Sequence, residues 1–284
     1  MTDLADLRSR PHISISAMNT YLKCPRMFKY RYVKRRKSAF RESALVLGSA
    51  VHGALAEFYR ILQRENRRVS QAEMEGLFRV AWKEQMDMAL PVALGNGETL
   101  AQLFETGLCM IQAFWKSAPL PRKVLAVEDP WELDISSDWT GELLPRLVGV
   151  FDAVVIDENG EAIVLEHKTG SRRWSEHRIQ YDSQISCYSL AAAHYFETTR
   201  VNVQLMLTNK SGGVFEQYPT RRGPVDHKYF IETLQGFFRA VEAEAFHPCR
   251  DWHCDRCPYA EECAGDISEK NIEHNVEAIN GYGN

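Results

Sequence analysis

Residues 161 to 170, "EAIVLEHKTG", run from the apolar stretch Ala162 to Leu165 straight into Glu166, His167 and Lys168, then break at Thr169-Gly170. Charges at the buried end of a strand are costly unless something compensates them. Side chains alternate along a strand, so Glu166 and Lys168 share one face, roughly 6.6 Å apart along it. Upstream, "GVFDAVV" sets Asp152 among Phe151, Val154 and Val155, and Glu158-Asn159-Gly160 supplies a tight turn between the two runs. Hairpin pairing can therefore bring Asp152 beside Glu166. Two carboxylates facing each other in an apolar setting repel, and need a shared proton or a cation. A divalent metal meets that need, with Lys168 completing a charge-balanced cluster. The plainer alternative is a buried Glu166–Lys168 ion pair with Asp152 as a turn residue.

A second constellation is made of sulfur. Seven cysteines stand at 24, 109, 187, 249, 254, 257 and 263, and four of them crowd into 249–263. The opening "MTDLADLRSRP" lacks the apolar core of a secretory signal, so the clustering reads as metal binding rather than disulfides, in a cytoplasmic protein. "HCDRCPYAEEC" gives Cys254-x2-Cys257-x5-Cys263, one thiolate short of a closed set of four. Cys249 just upstream could complete a compact zinc site. Cys24, at the far end of the chain, is the other candidate. Cys109 and Cys187 sit in apolar helical stretches and read as core.

The elements that must position these groups follow from periodicity. Residues 14–36 look helical, with Ser14 and Ser16 as possible caps. A second helix is expected over about 42–64, where Leu45, Leu47, Val51, Leu55, Phe58, Tyr59 and Leu62 make a broad apolar stripe. Residues 70–117 are helix-rich and broken near 91–98, forming a helical insertion. From Lys123 the period changes to that of strands: three strands up to Lys168, a helix over about 179–196, two more strands, a helix over about 225–245, and the cysteine-rich tail. The pattern β-β-β-α-β-β with flanking helices is an α/β (α+β) sheet core.

Length, 284 residues, permits one large domain, with 45% apolar and 25% charged residues as in ordinary globular proteins. We expect a single domain over 1–264: helical parts at 14–120, a sheet core at 121–246, and a clasp of Cys24 with 249–263. An acidic tail, 265–284, would follow. No run of about 18 apolar residues suggests a membrane span. Net charge is −4, yet residues 23–41 hold nine Lys or Arg and no acid, with Phe28, Tyr30, Tyr32 and Phe40 interleaved. That mixture suits phosphate contact plus base stacking, although a solvated helical face reads equally well.

Taken in order, these motifs resemble the PD-(D/E)xK nuclease superfamily, in the branch of RecB/AddB-like exonucleases that includes CRISPR-associated iron–sulfur nucleases. "GSAVHGALAEF" resembles that branch's Gly-then-His helix, "GVFDAVV" its Gly-x-x-Asp strand, "VLEHKTG" its (D/E)xK strand and "QISCY" its Gln-x3-Tyr helix. "CPRMFKY" and "CPYAEEC" resemble its two cysteine elements. The resemblance implies a restriction-endonuclease-like mixed central sheet flanked by helices. It implies Mg²⁺ or Mn²⁺ held by His52, Asp152, Glu166 and the carbonyl of His167, and catalysis by Asp152, Glu166, Lys168, Gln184 and Tyr188. It further implies a [4Fe–4S] cluster on Cys24, Cys254, Cys257 and Cys263, with Cys249 as the alternative fourth ligand. The expected activity is exonucleolytic cleavage of DNA, on single strands or ends. Expected partners are a separate helicase, or recombination or CRISPR adaptation proteins. The competing functions are a DNA-end-binding accessory subunit with little cleavage and a zinc-ribbon regulator without chemistry.

Overall fold

A computed structural model of the chain describes residue 7 and residues 11–135, 144–209 and 212–266. The expected acidic tail lies outside the described residues from 267 onward. Helices come first. Ser14 caps α1 (Ile15–Lys23) by accepting from Ala17 N at 3.2 Å. The long helix expected over 14–36 is broken at Cys24, whose backbone is extended (φ −161°). The cause is Pro25: its ring disfavours helical geometry in the residue before it, then starts α2 (Pro25–Phe28) as a preset first position. A wider turn, Lys29–Val33, follows. A short strand pair joins β2 (Arg41–Glu42) to β3 (Val92–Ala93). Helix α3 (Ser43–Glu65) matches the apolar stripe and ends at Asn66, which adopts the left-handed conformation. It is long and apolar enough to cross a membrane, but its apolar face is buried in the core. Ser70 and Thr99 each form a capping box, opening α4 (Gln71–Met86) and α5 (Leu100–Ser117).

The sheet has six strands among the described residues: β1 (His12–Ile13), β4 (Lys123–Leu133), β5 (Arg146–Ile156), β6 (Ala162–Gly170), β7 (Arg200–Asn209) and β8 (Gly212–Arg221). The order is β1-β5-β6-β7-β8, with β4 also paired to β5. Pairs β4–β5, β5–β6 and β7–β8 are antiparallel, and β1–β5 and β6–β7 are parallel. A parallel neighbour needs a crossover. Here it is α6 (Glu176–Tyr181) and α7 (Ser183–Phe196), where one helix over 179–196 was expected. Asp182 divides them: its carboxylate accepts from Gln184 N (2.9 Å) and Ile185 N (3.2 Å), beginning a new helix. Helix α8 (Pro224–Glu242) and the short α9 (Ala260–Gly265) follow β8.

Both faces of the sheet are covered. Met18, Phe28, Trp131, Phe151, Leu190, Leu205 and Phe237 belong to one core, built from α1, α7 and α8. Val51, Phe58, Phe78, Ile111, Phe114 and Leu165 belong to the other, built from α3, α4 and α5. The mixed sheet flanked by helices is the expected restriction-endonuclease-like architecture. Glycine permits one close approach that positions α5: a Cβ on Gly213 would meet the carbonyl oxygen of Cys109 at 2.0 Å.

Candidate active site

Pairing between β5 and β6 runs from Ile156 opposite Ala162 to Ala153 opposite Leu165, and then stops. Beyond that point a side chain takes over. Asp152 Oδ2 accepts from the His167 backbone N–H at 2.8 Å. The hairpin therefore does bring Asp152 to Glu166, through a backbone contact to the residue between the two catalytic candidates.

Glu166 is buried at 1% exposure, a position where an unpaired carboxylate is costly. Its Oε1 accepts from Lys168 Nζ and from Gln184 Nε2 (2.9 Å), while Gln184 Oε1 accepts from Lys168 Nζ at 2.9 Å. Gln184 Nε2 also donates to the Tyr188 hydroxyl at 3.2 Å. The i, i+4 spacing on α7 thus delivers both side chains to one spot. The other oxygen, Glu166 Oε2, is buried with no hydrogen-bond partner.

Across the hairpin, His52 on α3 faces Asp152, with Nδ1 3.4 Å from Oδ1. A third group joins them. Glu128 on β4 brings a carboxylate oxygen so that one ligand atom each from His52, Glu128 and Asp152 lie within 4.8 Å of one another. Val127 pairs with Ala153 and Asp129 with Phe151, which sets Glu128 across from Asp152. Glu128 also has a left-handed backbone, φ 46°, a conformation uncommon for any side chain but glycine's absence of one. Sequence reasoning missed it. The only signal was an acidic pair, Glu128-Asp129, placed mid-strand just before Pro130.

Electrostatics divides the two central acids. Burial pushes Glu166 up to about 7, against the pull of Lys168 and with the help of Asp152's charge. Burial would raise Asp152 too, but facing His52 and the His167 N–H holds it well below the usual carboxylate range. Burial opposes charge on His52, yet Asp152 and Glu166 lift it to about 9. Lys168 likewise stays above its ordinary value: burial works against its charge and Glu166 outweighs that. His167 differs, since burial lowers it to about 4. Its ring stacks on Tyr59 (centroids 5.6 Å apart, 19° between planes) and both ring nitrogens lack partners.

The cysteines meet where the two ends of the chain meet. Cys24, Cys249, Cys254, Cys257 and Cys263 line one cavity of about 370 Å³, together with Arg26, Met27 and Tyr30. Burial raises the Cys257 and Cys263 thiols, and both feel Cys24 and Cys254. Arg26 opposes the rise at Cys263 by hydrogen bond and charge. Among the described residues, no three cysteine sulfurs come within 4.8 Å of one another. Around the cavity, tail and N-terminal segment are tied directly. Tyr21 donates to Ala245 O (2.9 Å), Tyr30 to Asp266 Oδ2 (2.6 Å) and Arg36 Nε to Glu262 Oε1 (3.1 Å). Lys34 lies 3.8 Å from Glu262 and Lys29 covers the Phe246 ring. Part of the basic run at 23–41 is thus spent on holding the tail.

Comparison with known proteins agrees with this geometry. Residues 12–264 match the family model of the PD-(D/E)XK nuclease superfamily. A structure of a candidate exonuclease from Eubacterium rectale aligns with 91% of this chain and 92% of its own, at 12% identity and a TM-score of 0.55. A structure described as SSO0001 aligns with 85% of this chain and 96% of its own, at 12% identity and a TM-score of 0.38. Rai1 from Scheffersomyces stipitis, in complex with (3'-NADP)+ and calcium ion, aligns with 82% and 68%, at 14% identity and a TM-score of 0.27. Of these three, the first shows a shared fold, and the two below 0.5 add no weight. No curated protein matches the sequence significantly.

Proposed function

The chain belongs to the PD-(D/E)XK nuclease superfamily, and on that premise we propose that it is a metal-dependent DNA exonuclease of the RecB/AddB-like branch, acting on single strands or DNA ends. One observation carries the reading. Lys168, Glu166 and Gln184 are mutually hydrogen-bonded beside a group of three ligand atoms from His52, Glu128 and Asp152. The donor set fits a divalent ion: oxygen ligands suit Mg²⁺, the imidazole moves preference toward Mn²⁺, and the partnerless Glu166 Oε2 has the charge to contribute. His52, Asp152, Glu166 and the His167 carbonyl would hold the ion, with Glu128 added to that set. Bound there, a divalent ion lowers the pKa of a water and screens phosphate charge.

The protein's own groups do the rest. Lys168 is a cation at neutral pH, placed to orient the attacking water and to face the scissile phosphate. Gln184 fixes the ammonium by accepting one of its protons, and Tyr188 steadies Gln184 from the next helical turn. Asp152 cannot swing away, because His167 N–H holds one of its oxygens. The buried Tyr59–His167 stack closes the site from below.

The cysteine clasp supports a [4Fe–4S] cluster on Cys24, Cys254, Cys257 and Cys263. In such a cluster each thiolate binds a different iron, and these four cysteines, drawn from both ends of the chain, line one cavity. Such a group suits the reducing cytoplasm. Unwinding, where needed, would come from a separate helicase or recombination or CRISPR adaptation partner.

The test is cleavage of DNA strands labelled at either end, with Mn²⁺ or Mg²⁺, with chelator, and in Lys168→Ala. Metal-dependent shortening from one end, lost in the variant, is expected. Tight binding of ends without shortening would favour an end-binding accessory subunit. Undiminished digestion in chelator would sink the proposal.

A further inference from the structure

The connection from β6 to α7, which includes α6, is flanked by Lys168 near the end of β6 and Gln184 in the first turn of α7, and these two side chains are hydrogen-bonded at 2.9 Å. Both ends of segment 169–183 are therefore clamped at the candidate active site. Its charged residues are Arg172, Arg173 and Arg178 against Glu176 and Asp182, and Asp182 is engaged in capping α7. Arg173 Nε reaches Glu216 at 2.6 Å, and Arg178 lies 3.9 Å over the buried Trp174 ring, pinning the loop to the fold. Arg172 is exposed and makes no ion pair or hydrogen bond among the described residues. Further along the same segment, two aromatic rings are in contact with each other and with solvent. His177 and Tyr181 stack at 6.4 Å with 12° between planes, and Tyr181 is 71% exposed.

A large exposed aromatic at the end of a short surface helix serves no core. Exposed flat rings and an unengaged arginine on one segment are the combination that holds an unpaired nucleotide: a base stacks on the ring and the cation meets a phosphate of the same strand. We propose that Tyr181, with His177 stacked on it and Arg172 on the same segment, is a stacking platform for a single-stranded segment entering the active site. This rests on the nuclease reading of Lys168 and Glu166, and deepens it by naming what selects unpaired substrate. A base inside a duplex has both faces covered, so the platform discriminates strand from helix without reading sequence.

Binding of a fluorescent oligothymidylate and of a blunt duplex, with Ca²⁺ replacing Mg²⁺ or Mn²⁺, tests the idea in parent, Tyr181→Ala, Tyr181→Phe and Arg172→Ala. Hydrolysis of bis(p-nitrophenyl) phosphate, too small to reach the platform, is followed alongside. Tyr181→Ala should weaken single-strand binding about tenfold, within the range for loss of one stacked base. Tyr181→Phe should restore it, and duplex binding and small-diester hydrolysis should hold within twofold. Arg172→Ala should reduce the salt dependence of strand binding by about one phosphate contact. Unchanged strand binding in Tyr181→Ala, or equal losses on strand and duplex, would overturn the platform. If the parent fails to hydrolyse the small diester while the binding pattern holds, the nuclease reading falls and the platform stands.

Discussion

The hairpin cluster and the cysteine clasp solve opposite problems. In the hairpin, groups as close in sequence as Asp152 and His167, or Glu166 and Lys168, bond to each other directly. In the clasp, segments at opposite ends of the chain meet by a few contacts such as Tyr21–Ala245 and Tyr30–Asp266, around a cavity walled by five cysteines. The first region is dense in charge, and its central contacts lie within one hairpin to which α3, β4 and α7 add side chains. The second is mostly closure of a very long loop, which folding favours only if something strong bridges it. The contrast assigns chemistry to one and architecture to the other.

The sharpest way to break that division is Lys168→Ala. Cleavage should fall about 10²- to 10⁴-fold, as for loss of a positioned proton-transfer group, while the melting midpoint moves little. The stability change is small because Glu166, already raised to about 7 by burial, can take a proton once its cation is gone. Next comes Cys24→Ser. The visible absorbance of an iron–sulfur protein should disappear and unfolding free energy should drop by about 5 kcal/mol, the scale of a cross-link over a loop of this length. Cys249→Ala should keep both; retention of colour in Cys24→Ser with loss in Cys249→Ala would reverse the ligand assignment.

Glu128→Gln should cost about 10- to 100-fold in cleavage and raise the metal concentration needed, on the scale seen when groups supporting a metal site are removed. A metal titration of activity reads both. The smallest effect concerns Asp266, whose carboxyl is held below its usual value by the Tyr30 hydroxyl and nearby Lys34. A depressed carboxyl contributes stability above its unfolded pKa and loses it as pH falls through the folded value. The urea midpoint of Asp266→Asn should therefore lie slightly below the parent's at pH 6, and the gap should shrink below about pH 4.

Much of this was legible from local pattern. The strand alternation around Asp152 and Glu166, the Asn159-Gly160 turn and the apolar stripe of α3 each reflect forces acting within a few residues. The sheet core followed from them, whereas the meeting of tail with N-terminal helix was expected only from the resemblance of the two cysteine elements to those of a known family. Breaks in helices were less legible. Pro25 and Asp182 divide what periodicity reads as continuous, because apolar spacing says which face is buried and nothing about where the backbone restarts. Glu128 was invisible for a different reason: its importance comes from lying across β4–β5 from Asp152 in a left-handed backbone, and both facts are tertiary. The fate of the basic run was half-hidden too. Its charges were plain, but their partners Glu262 and Asp266 lie more than two hundred residues away.

Where the β5–β6 ladder ends, a carboxylate substitutes for a carbonyl as the acceptor of a backbone N–H. One atom group is thereby a rung of the sheet as well as a candidate ligand, so drift at position 152 is penalised twice, once by chemistry and once by splaying of the strands. A truncation to alanine there confounds the two penalties. Asparagine, which still offers an oxygen to His167, is the substitution that would tell a disarmed enzyme from a distorted one.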